Sequence, residues 1–210
     1  MAITTYQELQ NAIADFVSDG ASHLTSQIPL FITLAEAQIN RELRIAAMEA
    51  RATYNTTPGD GYVQVPAGFL EVRDLVAKGD IDRKLQFLPS PAISGARGSG
   101  PSGKPRQYAL TGSEVRLAPV PDGEYQLEMI YYKRFPALTD AEPTNWLLAN
   151  APDALLYGAL IELGTYDDNE RQVQVWQTLY RRAINGLQYQ DSRQRWSGSP
   201  IVEMAGGATP

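Results

Sequence analysis

At 210 residues the chain is long enough for one or two compact units with a substantial apolar core. Its composition, 43% hydrophobic and 20% charged, is ordinary for a globular protein, and no apolar run reaches the length of a membrane span. With no cysteine the chain has no disulfides, thiolate metal sites or Cys nucleophiles; with one histidine it has no His-based metal cluster; and a net charge of −6 argues against a dedicated nucleic-acid binder. Residues 1–5 lack the basic and apolar regions of a signal peptide, which places the chain in the cytoplasm.

Taken in order, Thr5-x-x-Glu8 is a capping box, and Leu9, Ile13, Phe16 and Val17 follow it at helical spacing until Gly20. A second helix starts near Ser26 to Pro29 and runs through Phe31, Ile32, Leu34, Ala35, Ile39, Leu43 and Ala46, with Glu36, Arg41, Glu42 and Arg44 on its other faces. Residues 1–50 therefore read as a helical pair. The period then changes. Thr53–Thr57 and Tyr62–Val65 read as two strands joined by Pro58-Gly59-Asp60-Gly61. Further strands are expected at Phe69–Ala77, Ile81–Leu88, Arg106–Leu110, Glu114–Leu117 and Glu124–Tyr132, giving an antiparallel β unit over 51–140. Within it, residues 89–105 (PSPAISGARGSGPSGKP) have no apolar period and are expected as a long mobile loop, with Arg97 and Lys104 facing a partner.

Helices return in 141–191. Asn150 is placed to cap a helix with Pro152 in its first turn and Asp153 at its positive end; that helix is apolar nearly all round until Gly164. A helix without a polar face must be covered on several sides. Asp167 or Asp168 is placed to cap the next helix, whose stripe is Val173, Trp176, Leu179, Tyr180, Ala183, Ile184 and Leu187. A short connection makes these two an antiparallel hairpin. The fold class is therefore α+β: an antiparallel bundle of N- and C-terminal helix pairs, an inserted antiparallel β unit, and an extended C-terminal tail over 192–210.

Little of the sequence carries chemistry. Gly98 to Lys104 matches the phosphate-binding pattern G-x-x-x-x-G-K, but Pro105 stands where a Mg²⁺-binding hydroxyl is needed and a strand follows where a helix should. His23 sits in the SHLTS linker and reads as a linker or cap residue rather than part of a triad. Asp167, Asp168, Asn169 and Glu170 lack the spaced ligands of a Ca²⁺ loop and read as capping. Tyr131, Tyr132, Lys133 and Arg134 mix aromatic and basic residues as single-strand binders do, yet fit ordinary strand alternation. Glu71, Arg73 and Asp74 look like the wet face of a strand. No catalytic, cofactor or metal site is expected.

Three blocks of sequence resemble the head-to-tail adaptor (connector) proteins of tailed bacteriophages, akin to the tail tubular protein A group. They are ITTYQELQNAIADF, IPLFITLAEAQINRELRIAAME, and PTNWLLANAPDALLYGALIEL with its trailing VWQTLYRRAINGLQ and RWSGSP. The resemblance implies a structural virion protein, not an enzyme, made in the host cytoplasm. It would form an oligomeric ring, usually dodecameric, between the portal and the tail or nozzle protein, through which DNA passes without sequence recognition. A tail-completion or stopper protein is the alternative, and a hydrolase a more distant one. The portal contact is expected in the C-terminal arm, at Arg193, Arg195, Trp196, Ile201, Val202 and Met204, because Trp and Arg are enriched at interface hot spots and an extended segment can add to a sheet edge.

Overall fold

The structure, a computed structural model, describes residues 3–17, 22–98 and 101–195. In chain order, helices α1 (Tyr6–Ala14), α2 (Ser22–Thr25) and α3 (Ile28–Glu42) come first. Strands β1 (Glu49–Asn55), β2 (Tyr62–Gln64), β3 (Phe69–Ala77), β4 (Arg83–Lys84) and β5 (Gln86–Phe87) follow, then helix α4 (Ser90–Gly98). The chain continues with β6 (Gln107–Thr111), β7 (Glu114–Ala118) and β8 (Gln126–Lys133), and ends in α5 (Trp146–Asn150), α6 (Pro152–Tyr166) and α7 (Glu170–Arg195). It divides into a helical unit, Met1–Ala46 with Pro136–Pro210, and a β unit, Ala47–Phe135. The class is mixed α+β.

The helical unit is organised by α6. This helix buries Ala154, Leu155, Gly158, Ala159, Leu160, Leu163 and Gly164, and Leu156, Tyr157 and Ile161 are half-buried. It packs against α1, α3, α5 and α7, which is the cover its sequence demanded. Two glycines set the approach. A Cβ at Gly158 would stand 3.0 Å from Ala35 Cβ on α3, and one at Gly164 would stand 2.6 Å from the Trp176 ring on α7. Around α6 lie Leu9 and Ile13 of α1, Phe31, Ile32 and Ile39 of α3, and Trp176, Tyr180, Ile184 and Leu187 of α7, all buried.

The ends of the helices follow local chemistry. In the Thr5/Glu8 box, the Thr5 hydroxyl accepts from the Glu8 amide at 3.2 Å and the Glu8 carboxylate accepts from the Thr5 amide at 3.0 Å. Asn150 does not cap α6. Ala151, which precedes Pro152, leaves the helical region (φ −147°, ψ 60°) and separates α6 from a short helix before it, α5, that was not expected. The capping residue is Asn145, whose side chain accepts from the Leu148 amide of α5 at 2.8 Å. Neither Asp167 nor Asp168 caps α7. Asp168 adopts φ +55° to make the turn, and Asn169 beyond it accepts from the Gln172 amide at 3.4 Å. The second helix stops at Glu42 rather than Ala46, where Leu43 is extended. The tail expected from 192 begins as helix: α7 runs on to Arg195, with an Asp191–Arg195 ion pair at 2.6 Å one turn apart.

One polar group lies in the helical core. Glu36, expected on an outer face, falls at the same helical period as Ile32 and Ile39 and is only 6% exposed. Its Oε1 accepts from the Leu138 amide at 3.0 Å and from the Asn145 side-chain amide at 3.3 Å, and Asn145 also donates to the Pro136 carbonyl. The carboxyl thus ties the returning segment 136–145 to α3. Burial pushes its pKa up to about 7, and the two hydrogen bonds resist that shift.

The β unit is two four-stranded sheets, not one. The orders are β1-β8-β3-β4 and β2-β7-β6-β5, so β1 and β2, expected as a hairpin, belong to different sheets. Pairing is antiparallel except for β5 with β6, which is parallel. The expected strand Ile81–Leu88 breaks at Leu85, a buried residue between β4 and β5, so that each half joins a different sheet. Leu75, Leu127, Met129 and Tyr131 from one sheet meet Tyr108, Val115 and Leu117 from the other in a shared core. The 89–105 stretch is also corrected. Ser90–Gly98 is helical, anchored by fully buried Ile93 against Ala109 and Ala118 and by Arg116 donating to Ser94 Oγ at 2.8 Å.

Two outcomes test this packing. Gly164→Ala places a methyl against Trp176 and Val173 and is expected to lower stability by about 1–3 kcal/mol. Gly186→Ala on α7, where the space is open, should raise it by up to about 1 kcal/mol; denaturant midpoints read both. Glu36 supplies the second outcome. Its folded pKa lies above the ordinary value, so the stability it confers is full below about pH 4.5 and is lost as pH rises through about 7. Glu36→Gln keeps both hydrogen bonds and does not titrate. The wild type should therefore lose roughly 3 kcal/mol relative to this variant across that window. A pH-independent difference between the two would contradict a buried, ionisable Glu36.

Candidate interaction surfaces

The surfaces of the helical unit follow from which side of each helix the core takes. With Phe31, Ala35 and Ile39 turned inward, α3 leaves Leu30 and Leu34 on the outside, 50% and 41% exposed. Tyr166 at the end of α6 is 62% exposed, and its ring lies 5.8 Å from Phe31. Val175 and Tyr189 are the large exposed apolar residues of α7. An open hollow of about 360 Å³ lies against the C-terminal half of α7, its lining including Ala151, Asp153, Arg182, Ala183 and Gly186. A second, of about 500 Å³, lies at the α6–α7 corner, lined by Gly164, Thr165, Asp168, Glu170, Val173, Gln174 and Gln177.

Of the residues singled out for portal contact, Arg193 lies over the Tyr189 ring at 6.0 Å and Arg195 pairs with Asp191, so the structure places both on α7. Asp191 also accepts from the Ala46 amide at 2.6 Å and anchors that end of the helix. Trp196, Ile201, Val202 and Met204 lie outside the described residues. Arg97 belongs to α4, while Lys104 donates from Nζ to the Lys78 carbonyl at 3.1 Å and is held to the body of the β unit. A strand, β6, follows Lys104, as a phosphate-binding loop would not allow. His23 lies in α2.

The remaining chemical candidates resolve into structural contacts. Tyr131 is buried and stacks on Phe69 at 5.9 Å, so its ring is not offered to a base. Arg73 pairs with Glu49 and Asp74 with Lys84. Beside them, Lys78 and Asp82 form a 2.6 Å ion pair whose hydrogen bond raises the lysine pKa and lowers that of the aspartate. Tyr180 donates to Glu42 at 3.0 Å, and burial, then the carboxylate, raises its pKa. Among the described residues no group of three His, Cys, Asp or Glu side chains is placed to hold a metal ion, and no helix is long and apolar enough to cross a membrane. Sequence reasoning missed the two hollows and Glu36. Only Glu36 left a signal, its place in the apolar period of α3.

What the geometry offers is surface: exposed apolar helix faces, open hollows, and charge in unequal patches. No curated protein matches the chain. The family model described as "SU10 adaptor protein" matches residues 4–203, a span covering both units, and the chain belongs to that family of phage adaptor proteins.

Proposed function

We propose that the protein is a structural subunit of the phage head-to-tail junction, in which copies assemble as a ring, dodecameric in the virion, between the portal and the tail or nozzle protein. The observation that carries this reading is the family match across residues 4–203, which spans nearly the whole chain rather than a local reactive motif. The helical unit supplies the kind of surface a subunit needs, with Leu30, Leu34 and Tyr166 exposed side by side with its core. In this reading the helices form a bundle whose flanks meet neighbouring copies. The C-terminal arm, including Trp196, Ile201, Val202 and Met204, meets the portal. DNA passes through without sequence recognition, which a net charge of −6 favours by discouraging adhesion.

The same charge, gathered around a ring, opposes closure before a template is present, so the isolated protein is expected as a monomer or small oligomer in sedimentation. The direct test adds purified protein to portal-bearing heads and images the junction by electron microscopy. Wild-type protein should form a ring there. A chain ending at Arg195 should keep its helical signal and melting temperature but fail to attach. Trp196→Ala should weaken attachment by about 2 kcal/mol, roughly thirtyfold. Full attachment of the shortened chain would move the portal contact onto the helices, and absence of any ring on the heads would overturn the reading.

A further inference from the structure

Charge is distributed unevenly over the helical unit. Its described basic residues are Arg41, Arg44, Arg171, Arg181, Arg182, Arg193 and Arg195, and all but the first two lie on α7. At 100° per residue, Val175, Arg182, Tyr189 and Arg193 fall on one line along α7, opposite its buried residues Trp176, Tyr180, Ile184 and Leu187. All four are exposed. Arg181 and Arg182 make no ion pair among the described residues. The outer side of the C-terminal half of α7 therefore carries Arg182 and Arg193 with the Tyr189 ring between them, Arg193 lying over that ring.

Around the other end of the same helix acids outnumber cations, Asp167, Asp168 and Glu170 against Arg171. Asp167, Asp168 and Glu170 are exposed and make no ion pair among the described residues. Asp168 and Glu170 line the 500 Å³ hollow together with Gln174 and Gln177. Two carboxylates beside two side-chain amides suit a guanidinium, which binds carboxylates through paired hydrogen bonds. Within one copy this match is unreachable: Glu170 and Arg182 are held about 18 Å apart by the rise of the helix between them.

We propose that the arginine face of α7 in one copy, Arg182 and Arg193 on either side of Tyr189, seats on the acidic hollow at the α6–α7 corner of a second copy. The occupant follows from complementarity within a single chain: each copy carries both a surplus of cations and the acidic recess that neutralises it. Because the two surfaces differ, the contact is head-to-tail and repeats from copy to copy, closing into a ring when the rotation allows. The proposal rests on the ring reading and adds to it the residues that meet.

The absence of native cysteine makes the test specific. Gln174→Cys in the lining of the hollow and Asn185→Cys between Arg182 and Tyr189 lie about 16 Å apart on one rigid helix, beyond the reach of a disulfide within a chain. The double-cysteine protein, oxidised at high concentration and again when bound to portal-bearing heads, should give a ladder of oligomers. Each single-cysteine protein should give no more than dimers. Adding Arg182→Glu and Arg193→Glu should cut the ladder at least tenfold. Mixing a Gln174→Cys chain that carries Glu170→Arg with an Asn185→Cys chain that carries Arg182→Glu should restore the cross-link. All variants change exposed positions, and unchanged melting temperatures confirm their folding. A wild-type ring on heads without a ladder from the double-cysteine protein overturns this contact and leaves the ring reading intact; no ring at all overturns both. Tight binding of a short DNA duplex, lost with Arg182→Glu and unaccompanied by cross-linking, would assign the arginine face to a polyanion instead.

Discussion

The helical unit depends on a helix that has no side fit for water. Between Ala154 and Gly164 the residues of α6 are apolar or glycine except Glu162, so the helix is stable only if its neighbours remove it from solvent. That requirement dictates the rest. Gly158 lets α3 close on Ala35, and Gly164 admits the Trp176 ring from α7; in both places a side chain on α6 would hold the neighbour off. α1 and α5 cover what remains. The N-terminal and C-terminal segments of the chain are thus joined through a shared partner, although 89 residues of β unit, Ala47 to Phe135, separate them in sequence.

Glu36 extends this logic to a polar group. Placing a carboxyl among Ile32, Ala35 and Ile39 costs desolvation, and the group persists because it accepts from Leu138 and Asn145, two donors on the segment that re-enters the helical unit. Asn145 in turn caps α5, which leads directly into α6. A single buried oxygen therefore positions the entry to the central helix. A hydrophobic residue at position 36 would fill the space but leave the Leu138 amide and the Asn145 side chain without that acceptor, so shape alone does not replace it.

Elements whose signal is local were legible in the sequence. The Thr5/Glu8 box, the apolar run of α6 and the stripe of α7 each declare themselves within a few turns of chain. The misreadings arose where a distant partner decides. Two sheets replace one because Leu85 and its neighbours are shared between facing layers, a fact no strand period contains. Helix α4 has Ile93 as a fully buried anchor among Ser, Gly and Pro residues, so its periodicity is too short to read. Asn150, expected to cap α6, is instead the last residue of α5, a short helix capped by Asn145 that ends where Pro152 holds Ala151 out of the helical region. Surfaces were least legible: a hollow formed by the end of α6 and the first turns of α7 exists only once the two helices are packed.

The charge pattern of α7 has two causes that can be told apart. Acids at a helix N-terminus and cations at its C-terminus are favoured by the helix itself, through the partial charges of unpaired amides and carbonyls. This accounts for Glu170 in the first turn and for Arg193 and Arg195 in the last. The effect fades within a turn, so it gives no reason for Arg181 and Arg182 in the middle of the helix. Both are exposed and make no ion pair among the described residues, in a chain whose net charge is −6. Asp153 lines the same hollow as Arg182, while the rise of α7 keeps Asp168 and Glu170 out of reach of Arg182 within one copy. The recess bearing Asp168 and Glu170 is a surface of the right sign and shape that every copy already carries.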